Sequence, residues 1–107
     1  PRARSTVRLG RLSFDLASLR TYCDDGEILL RPKERDLLFA LLERAGQVIP
    51  REELLRNVWG YSGDVDSRTV DWHVAELRRK LMDDASNPTL IRTVRKVGYQ
   101  LALDARA

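Results

Sequence analysis

The chain has 107 residues, 43% of them hydrophobic and 33% charged, with six glycines, four prolines and a net charge of +3. This composition predicts one globular domain with a small core and argues against disorder or low complexity. The sequence shows no apolar run of membrane-spanning length, no signal-peptide pattern and only one cysteine, Cys23; an internal disulfide and a cysteine-rich zinc site are excluded, and a cytoplasmic domain is expected.

The first half of the chain predicts short strands followed by two helices. Residues 1–6 are polar, basic and without periodicity, which predicts a linker and a domain cut from a longer chain. Apolar alternations over residues 7–30, broken by Gly10 and by a hairpin turn at 24–26, predict antiparallel strands.

Two helices are then predicted by apolar spacing and by their end signals. Pro32 suits the first turn of one helix, and Gly46 would end it; its apolar face is formed by Leu37, Leu38, Leu41, Leu42 and Ala45. Residues 47–49 form a brief extended link. A second helix is expected over residues 51–59, closed by Gly60, with Leu54, Leu55 and Val58 facing inward.

The segment RTVDWHVAELRRKL, residues 68–81, predicts a third helix whose two sides differ. Its apolar stripe has spacings of four, three and four and consists of Val70, Val74, Leu77 and Leu81. At about 100° per residue, Trp72 falls on the opposite side, beside Arg68, Ala75 and Arg79. Asp66 or Ser67 would cap this helix.

Two final strands, in LIRTVR and GYQLAL, are expected to pair as a hairpin around residues 96–98. The whole order predicts an α+β fold: a winged helix-turn-helix with an N-terminal four-stranded antiparallel sheet, three helices and a C-terminal β-hairpin wing. The domain would span residues 7–103, followed by a tail at 104–107. Such a fold projects two elements that could enter DNA grooves.

The outward side of the third helix predicts contacts to DNA. Arg68 could pair with guanine, Thr69 could meet a phosphate or a thymine methyl, and Trp72 could pack on thymine or sugar. Arg78 and Arg79 extend the positive charge, although residues 78–80 also complement the helix dipole. Trp72 could instead support the loop at 60–67 or the wing. Glu76, beside this face, is expected to pair with Lys80.

The wing and the charge distribution are also compatible with DNA binding. Strand alternation would place Thr93 and Arg95 toward a groove and let Val94 anchor to the core, with Lys96 at the tip. Residues 1–11 carry four basic residues and no acid, and residues 68–103 carry seven basic and four acidic residues. A solvated surface would look similar.

Three blocks resemble the OmpR/PhoB-type winged-helix family, which forms the C-terminal DNA-binding half of many bacterial two-component response regulators. They are VWG at 58–60, SRTVDWHVAELRRKL at 67–81 and TVRKVGYQL at 93–101. The resemblance covers about residues 7–103. It implies double-stranded DNA as the partner, bound at direct repeats by protomers that associate head to tail, and a receiver domain upstream. It implies no cofactor.

The resemblance also implies which residues touch each partner. Base and backbone contacts of the recognition helix would be Arg68, Thr69, Trp72 and Arg78, and those of the wing Thr93 and Arg95. Further backbone contacts would be Arg51, Trp59 and Tyr99. The loop 60–67, with Tyr61, Asp64 and Asp66, would match a segment that touches RNA polymerase in several members. Arg31 and Pro50 replace a common Ser or Thr cap, which should weaken both helix starts, and Lys96 replaces a common Gly.

Other classes of function are weighed against DNA binding. An enzyme is disfavoured by the single His, the single Cys and the lack of a nucleophile motif or a phosphate-binding glycine loop. His73 is expected to be a packed or helix-surface residue. A protein-interaction module could use Trp72 as an anchor, and a membrane-bound or other multidomain regulator could carry the same DNA-binding domain.

Overall fold

The computed structural model describes residues 6–24, 26–60, 65–83 and 89–102. Four strands come first and three helices follow, interrupted by one short strand and followed by two more strands. The elements are β1 (Thr6–Leu9), β2 (Leu12–Asp15), β3 (Arg20–Cys23), β4 (Gly26–Ile28), α1 (Pro32–Glu43), β5 (Val48–Pro50), α2 (Arg51–Trp59), α3 (Arg68–Leu81), β6 (Ile91–Val94) and β7 (Gly98–Leu101).

The four N-terminal strands form one antiparallel sheet in the order β1-β2-β3-β4, as the alternations predict. Strand β1 begins at Thr6, the first residue that the structure describes. Cys23 pairs with Gly26, which confirms the predicted hairpin turn between β3 and β4. Phe14 of β2 is fully buried and attaches this sheet to the helices through an edge contact with Phe39 of α1.

Each helix contributes its predicted apolar face to a single core. The predicted face of α1 is buried at all four leucines, and Leu54 of α2 is completely buried. Val70, Val74 and Leu77 of α3 are also completely buried, and Leu81 is 4% exposed. The three helices pack on one another, so α3 has a fixed inner side and a fixed outer side.

The helix starts use side chains other than the residue at the N-cap position. Arg31 offers no side-chain cap to α1, but the Glu34 carboxylate accepts a hydrogen bond from the Arg31 amide at 2.9 Å. At α3, Asp66 is the acceptor for the Arg68 amide at 2.9 Å, and Ser67 makes no cap hydrogen bond. Asp66 is therefore the capping residue of the two predicted.

The wing is a three-stranded sheet rather than an isolated hairpin. The predicted link at 47–49 contributes β5, which pairs with β7, and the strand order is β5-β7-β6. A side chain at Gly98 would overlap the Ile49 carbonyl, so glycine is required where β7 lies against β5. The wing is thereby joined to the segment that leads into α2.

The structure contradicts the predicted anchoring of the wing by Val94. Thr93 pairs with Tyr99 and Ile91 pairs with Leu101, and cross-strand partners share one face of a sheet. Ile91 is completely buried, whereas Val94 lies on the other face and is half-buried. Ile91 is thus the anchor, because the alternation of β6 begins from a core residue three positions earlier.

Candidate nucleic-acid interface

The outer side of α3 is a basic face with an aromatic residue at its centre. The side chains of Arg68 and Arg79 are 85% and 67% exposed, Trp72 is 55% exposed and Ala75 is exposed. This confirms the predicted orientation of Trp72, because the opposite side of the helix is occupied by the core. The helix therefore presents a large apolar ring to solvent between two guanidinium groups.

Trp72 is held from one side by a short row of aromatic rings. The His73 ring makes edge contacts with both tryptophans, with centroids 4.8 Å from Trp59 and 5.1 Å from Trp72. His73 Nδ1 lies 2.8 Å from the Thr69 carbonyl and donates to it, since a carbonyl oxygen can only accept. Trp59 is half-buried, as predicted, and His73 is a packed residue.

The exposed arginines of α3 are paired with acids on the same surface. Arg68 contacts Asp66 at 3.2 Å, and Arg79 contacts Glu76 at 2.9 Å. Hydrogen bonds from the Arg68 side chain and backbone lower the pKa of Asp66, and the Arg79 hydrogen bond lowers the pKa of Glu76. The prediction of a Glu76–Lys80 pair is wrong, because Glu76 pairs with Arg79 and Lys80 pairs with Glu34 of α1.

Lys80 instead joins α3 to the start of α1. Its ammonium donates to Glu34 at 2.6 Å, and the Glu34 side chain is completely buried while that of Lys80 is 19% exposed. Burial by itself raises the pKa of Glu34, but the hydrogen bonds from Lys80 and from the Arg31 amide lower it below its usual range. The pair fixes the position of the basic helix against the core.

Arg78 connects α3 to the wing and is less available than its sequence position predicts. Its guanidinium donates to the Ile91 carbonyl at 2.7 and 3.1 Å and to the Thr93 hydroxyl at 2.7 Å. It also lies 5.8 Å from the ring centre of Tyr99. The predicted recognition-helix residue therefore lies between the two elements that were expected to read DNA.

A second polar cluster lies at the start of α3, where the sequence predicts only Arg51 and Tyr99. Arg51 donates to both carboxylate oxygens of Asp71 at 3.0 and 2.6 Å, and the Tyr99 hydroxyl donates to the same carboxylate at 2.6 Å. Burial, with this hydrogen bond, raises the pKa of Tyr99 to about 12. Sequence reasoning missed Asp71; its only signal is an acid in the first turn, between the apolar stripe and Trp72.

The tip of the wing carries two exposed cations. Arg95 and Lys96 lie in the turn between β6 and β7, both are exposed, and their side chains have no hydrogen bond or ion pair within the described part of the chain. Arg95 therefore belongs to the turn and not to strand β6. Lys96 has a φ of 67°. A positive φ in this turn fits the glycine that the family resemblance implies for this position.

The remaining predicted residues fall partly outside the described chain. Tyr61 and Asp64 of the loop 60–67 lie outside the described residues, whereas Asp66 is described and is engaged with Arg68. No described helix has the length and apolar character needed to cross a membrane. Within the described ranges, no group of three or more His, Cys, Asp and Glu side chains is arranged to hold a metal ion.

A four-stranded sheet, three helices and a strand-rooted wing beside an exposed basic helix define a winged-helix domain. Residues 25–101 match the family described as "Transcriptional regulatory protein, C terminal", and the chain belongs to that family, of the OmpR/PhoB type. This is a family of transcriptional regulators and not of enzymes.

Relatives and solved structures agree with this assignment. The chain is 49% identical over 94 residues to the DNA-binding response regulator MtrA of Mycobacterium tuberculosis, covering 88% of this chain and 41% of MtrA. It is 44% identical over 95 residues to the probable transcriptional regulator ycf27 of Guillardia theta, covering 87% of this chain and 37% of the relative. The chain thus spans about two fifths of the length of these relatives.

Two solved structures superpose on most of the chain. The DNA-binding domain of Klebsiella pneumoniae RstA, solved in complex with the RstA box, has a TM-score of 0.81 and 35% identity and covers 91% of this chain and 96% of that chain. The Thermotoga maritima response regulator DrrB, an OmpR/PhoB homologue, has a TM-score of 0.83 and 32% identity, with 92% of this chain and 44% of that chain covered.

Proposed function

We propose that this domain binds double-stranded DNA in a sequence-specific manner and regulates transcription as the effector domain of a two-component response regulator. The observation that carries the proposal is the outward face of α3, where Trp72 is 55% exposed between the exposed arginines 68 and 79. The opposite side of the helix is already buried in the hydrophobic core of the domain. The RstA domain solved with its DNA supports the same assignment.

The residues divide into two groups of proposed contacts. Arg68, Thr69 and Trp72 would read bases in the major groove, with Arg79 on phosphates. Thr93, Arg95 and Lys96 would bring the wing to a neighbouring groove or backbone. Trp59 remains a candidate backbone contact.

Three further candidates are engaged inside the protein. Arg78 donates hydrogen bonds to the wing. Tyr99 and Arg51 both donate hydrogen bonds to Asp71. Arg51 could give these donors to a phosphate only by breaking its hydrogen bonds to Asp71, and Arg78 only by breaking its hydrogen bonds to the wing. For Tyr99, a contact to a phosphate would require its hydroxyl to leave Asp71.

The arrangement on DNA is proposed from the family resemblance. Two protomers would bind direct repeats head to tail and associate there, and a receiver domain would precede residue 1 in the full-length protein. The loop 60–67, including Tyr61, Asp64 and Asp66, would be available to RNA polymerase. A regulator acting on the chromosome would work in the cytoplasm.

The experiment is selection of bound sequences from random duplex DNA, followed by footprinting of the selected site. A direct repeat with half-sites about one helical turn apart is expected for tandem binding. An inverted repeat would contradict the head-to-tail arrangement, and failure to enrich any sequence would contradict sequence-specific binding.

A protein-interaction module is the second function that an observation favours, because a large exposed Trp is a common anchor of protein interfaces. Salt separates the two functions. DNA binding should weaken steeply as salt rises, since each neutralised phosphate releases counterions. An interface centred on an apolar anchor should change little.

A further inference from the structure

Building on the proposed DNA-binding function, we propose that Asp71 is a positioning residue that sets how strongly the domain distinguishes its target from other DNA. Asp71 holds Arg51 away from the phosphate backbone and ties the wing to the first turn of α3. Three elements meet at its carboxylate: the first residue of α2, the start of β7 and α3 itself.

The contacts of Arg51 occupy one edge of its guanidinium, the edge formed by Nε and Nη2. Its Nε and Nη2 atoms each donate to one oxygen of Asp71, at 3.0 and 2.6 Å, which is the two-point geometry that carboxylates share with phosphates. The two side chains are only 35% and 38% exposed. A phosphate that approached this edge of the guanidinium would therefore have to displace the carboxylate, whereas neither hydrogen bond uses Nη1.

The same carboxylate fixes the wing relative to the helix. The Tyr99 hydroxyl donates to Asp71 at 2.6 Å, and the Arg51 amide donates to the Val97 carbonyl at 3.2 Å. Asp71 precedes Trp72 directly in the first turn of α3. The Asp71 carboxylate therefore fixes the position of the wing relative to the first turn of α3, the turn proposed to read bases.

Asp71 lies in a cleft whose other charged side chains are basic. A cleft of about 230 Å³ lies between α2, α3 and the wing, and its basic side chains are Arg51, Arg95 and Lys96. Among the described residues that line this cleft, Asp71 is the only acid. Phosphate contacts add affinity without reading sequence. Releasing Arg51 would therefore strengthen binding to any DNA, while loosening the wing would weaken binding to the target.

The test compares Asp71→Asn with the wild-type domain on two duplexes of equal length, one carrying the selected site and one scrambled, at several salt concentrations. We expect Asp71→Asn to bind the scrambled duplex about fivefold more tightly, with the slope of log Kd against log salt steeper by about 0.9, as for one added phosphate contact. Affinity for the target should not rise to the same extent, so the preference for it should fall about fivefold or more.

Two controls assign the effect to Arg51. Adding Arg51→Gln to Asp71→Asn should return the salt slope to its wild-type value. Asp36→Asn makes the same change of net charge on α1, where Asp36 pairs with its neighbour Arg35, and should leave the preference for the target unchanged. A gain on scrambled DNA from Asp36→Asn would overturn the proposal.

Other outcomes also overturn it. Equal weakening on both duplexes with an unchanged salt slope would show that Asp71 only supports the fold. If Asp71→Asn does not fold, as judged by a thermal melt, Arg51→Gln alone carries the test: its salt slope should equal that of the wild type, and a slope shallower by about 0.9 would place Arg51 on phosphate already. A wild-type domain that binds neither duplex would instead contradict the proposed function.

Discussion

Arg68 is the most exposed of the paired arginines on α3, at 85% of its side chain, and its partner Asp66 is 62% exposed. A pair this open to solvent gives little stability, so a base edge can replace Asp66 at little cost. Arg68 also lies in the first turn of the helix, where recognition helices meet bases.

We expect Arg68→Ala to weaken binding to the selected site by about 1–3 kcal/mol and to relax selectivity at one base pair. Competition with duplexes substituted at each position measures both effects. The thermal melt of the variant serves as its control and should match the wild type. An unaltered preference at every position would contradict a base contact.

Trp72 and Trp59 both make edge contacts with His73 but differ in burial, and they form a natural pair for comparison. Trp72→Ala should change the free energy of unfolding by no more than about 0.5 kcal/mol, because the ring is mainly solvent-exposed, while clearly weakening DNA binding. Trp59→Ala should cost about 2 kcal/mol, between the surface range and that of a buried Trp.

Denaturant melts of both variants, run beside a DNA titration, measure this difference. A large loss of stability in Trp72→Ala would show that the ring supports the loop or the wing. It would also remove the main argument for an outward DNA-reading face.

At the scale of the element, the wing combines a rigid base with a charged tip. Its strands are fixed by β5, which pairs along β7 and lies against Gly98, and its inner face is buried at Ile91 and Leu101. The tip carries Arg95 and Lys96 without partners among the described residues. An element built this way should tolerate changes at the tip without loss of folding.

Arg95→Ala, and to a lesser degree Lys96→Ala, should weaken binding to target and scrambled DNA alike. The salt slope should become shallower by about one unit for each phosphate that the variant no longer neutralises. The titration is made at several salt concentrations on both duplexes. An unchanged slope for Arg95→Ala would mean that Arg95 does not bind phosphate.

At the scale of the whole molecule, the buried Glu34–Lys80 pair connects the first and third helices across 46 residues of sequence. The pKa of Glu34 is lowered in the folded protein from a reference value of 4.5. Its contribution to stability is therefore complete above about pH 5 and is lost as the pH falls below 4.5 through the folded pKa.

Glu34→Gln should lower the free energy of unfolding at neutral pH by about 3 kcal/mol, because it leaves the Lys80 ammonium mostly buried beside a neutral amide. It should also flatten part of the decline in stability at acid pH. Unfolding measured from neutral pH to pH 3 tests both. Glu76→Gln, which alters an exposed pair, is the matched control and should cost little.

The sequence alone was sufficient for the order of the elements other than β5, for the apolar stripe of α3 and for the outward direction of Trp72. These features depend on the periodicity of neighbouring residues, and a single helix buries one side whatever its partners are. The family motifs likewise lie within continuous stretches, so the class of the domain could be recognised before its structure.

The tertiary structure decided which polar groups meet. Arg51 pairs with Asp71, 20 residues along the chain, and Lys80 pairs with Glu34 and not with Glu76 of its own helix. Residues 48–50 become a strand only because β7 lies beside them, and Ile91 replaces Val94 as the anchor of the wing. Local spacing gives the face on which a residue lies; the partner of a charge or a strand depends on which distant segment the packing of the core brings next to it.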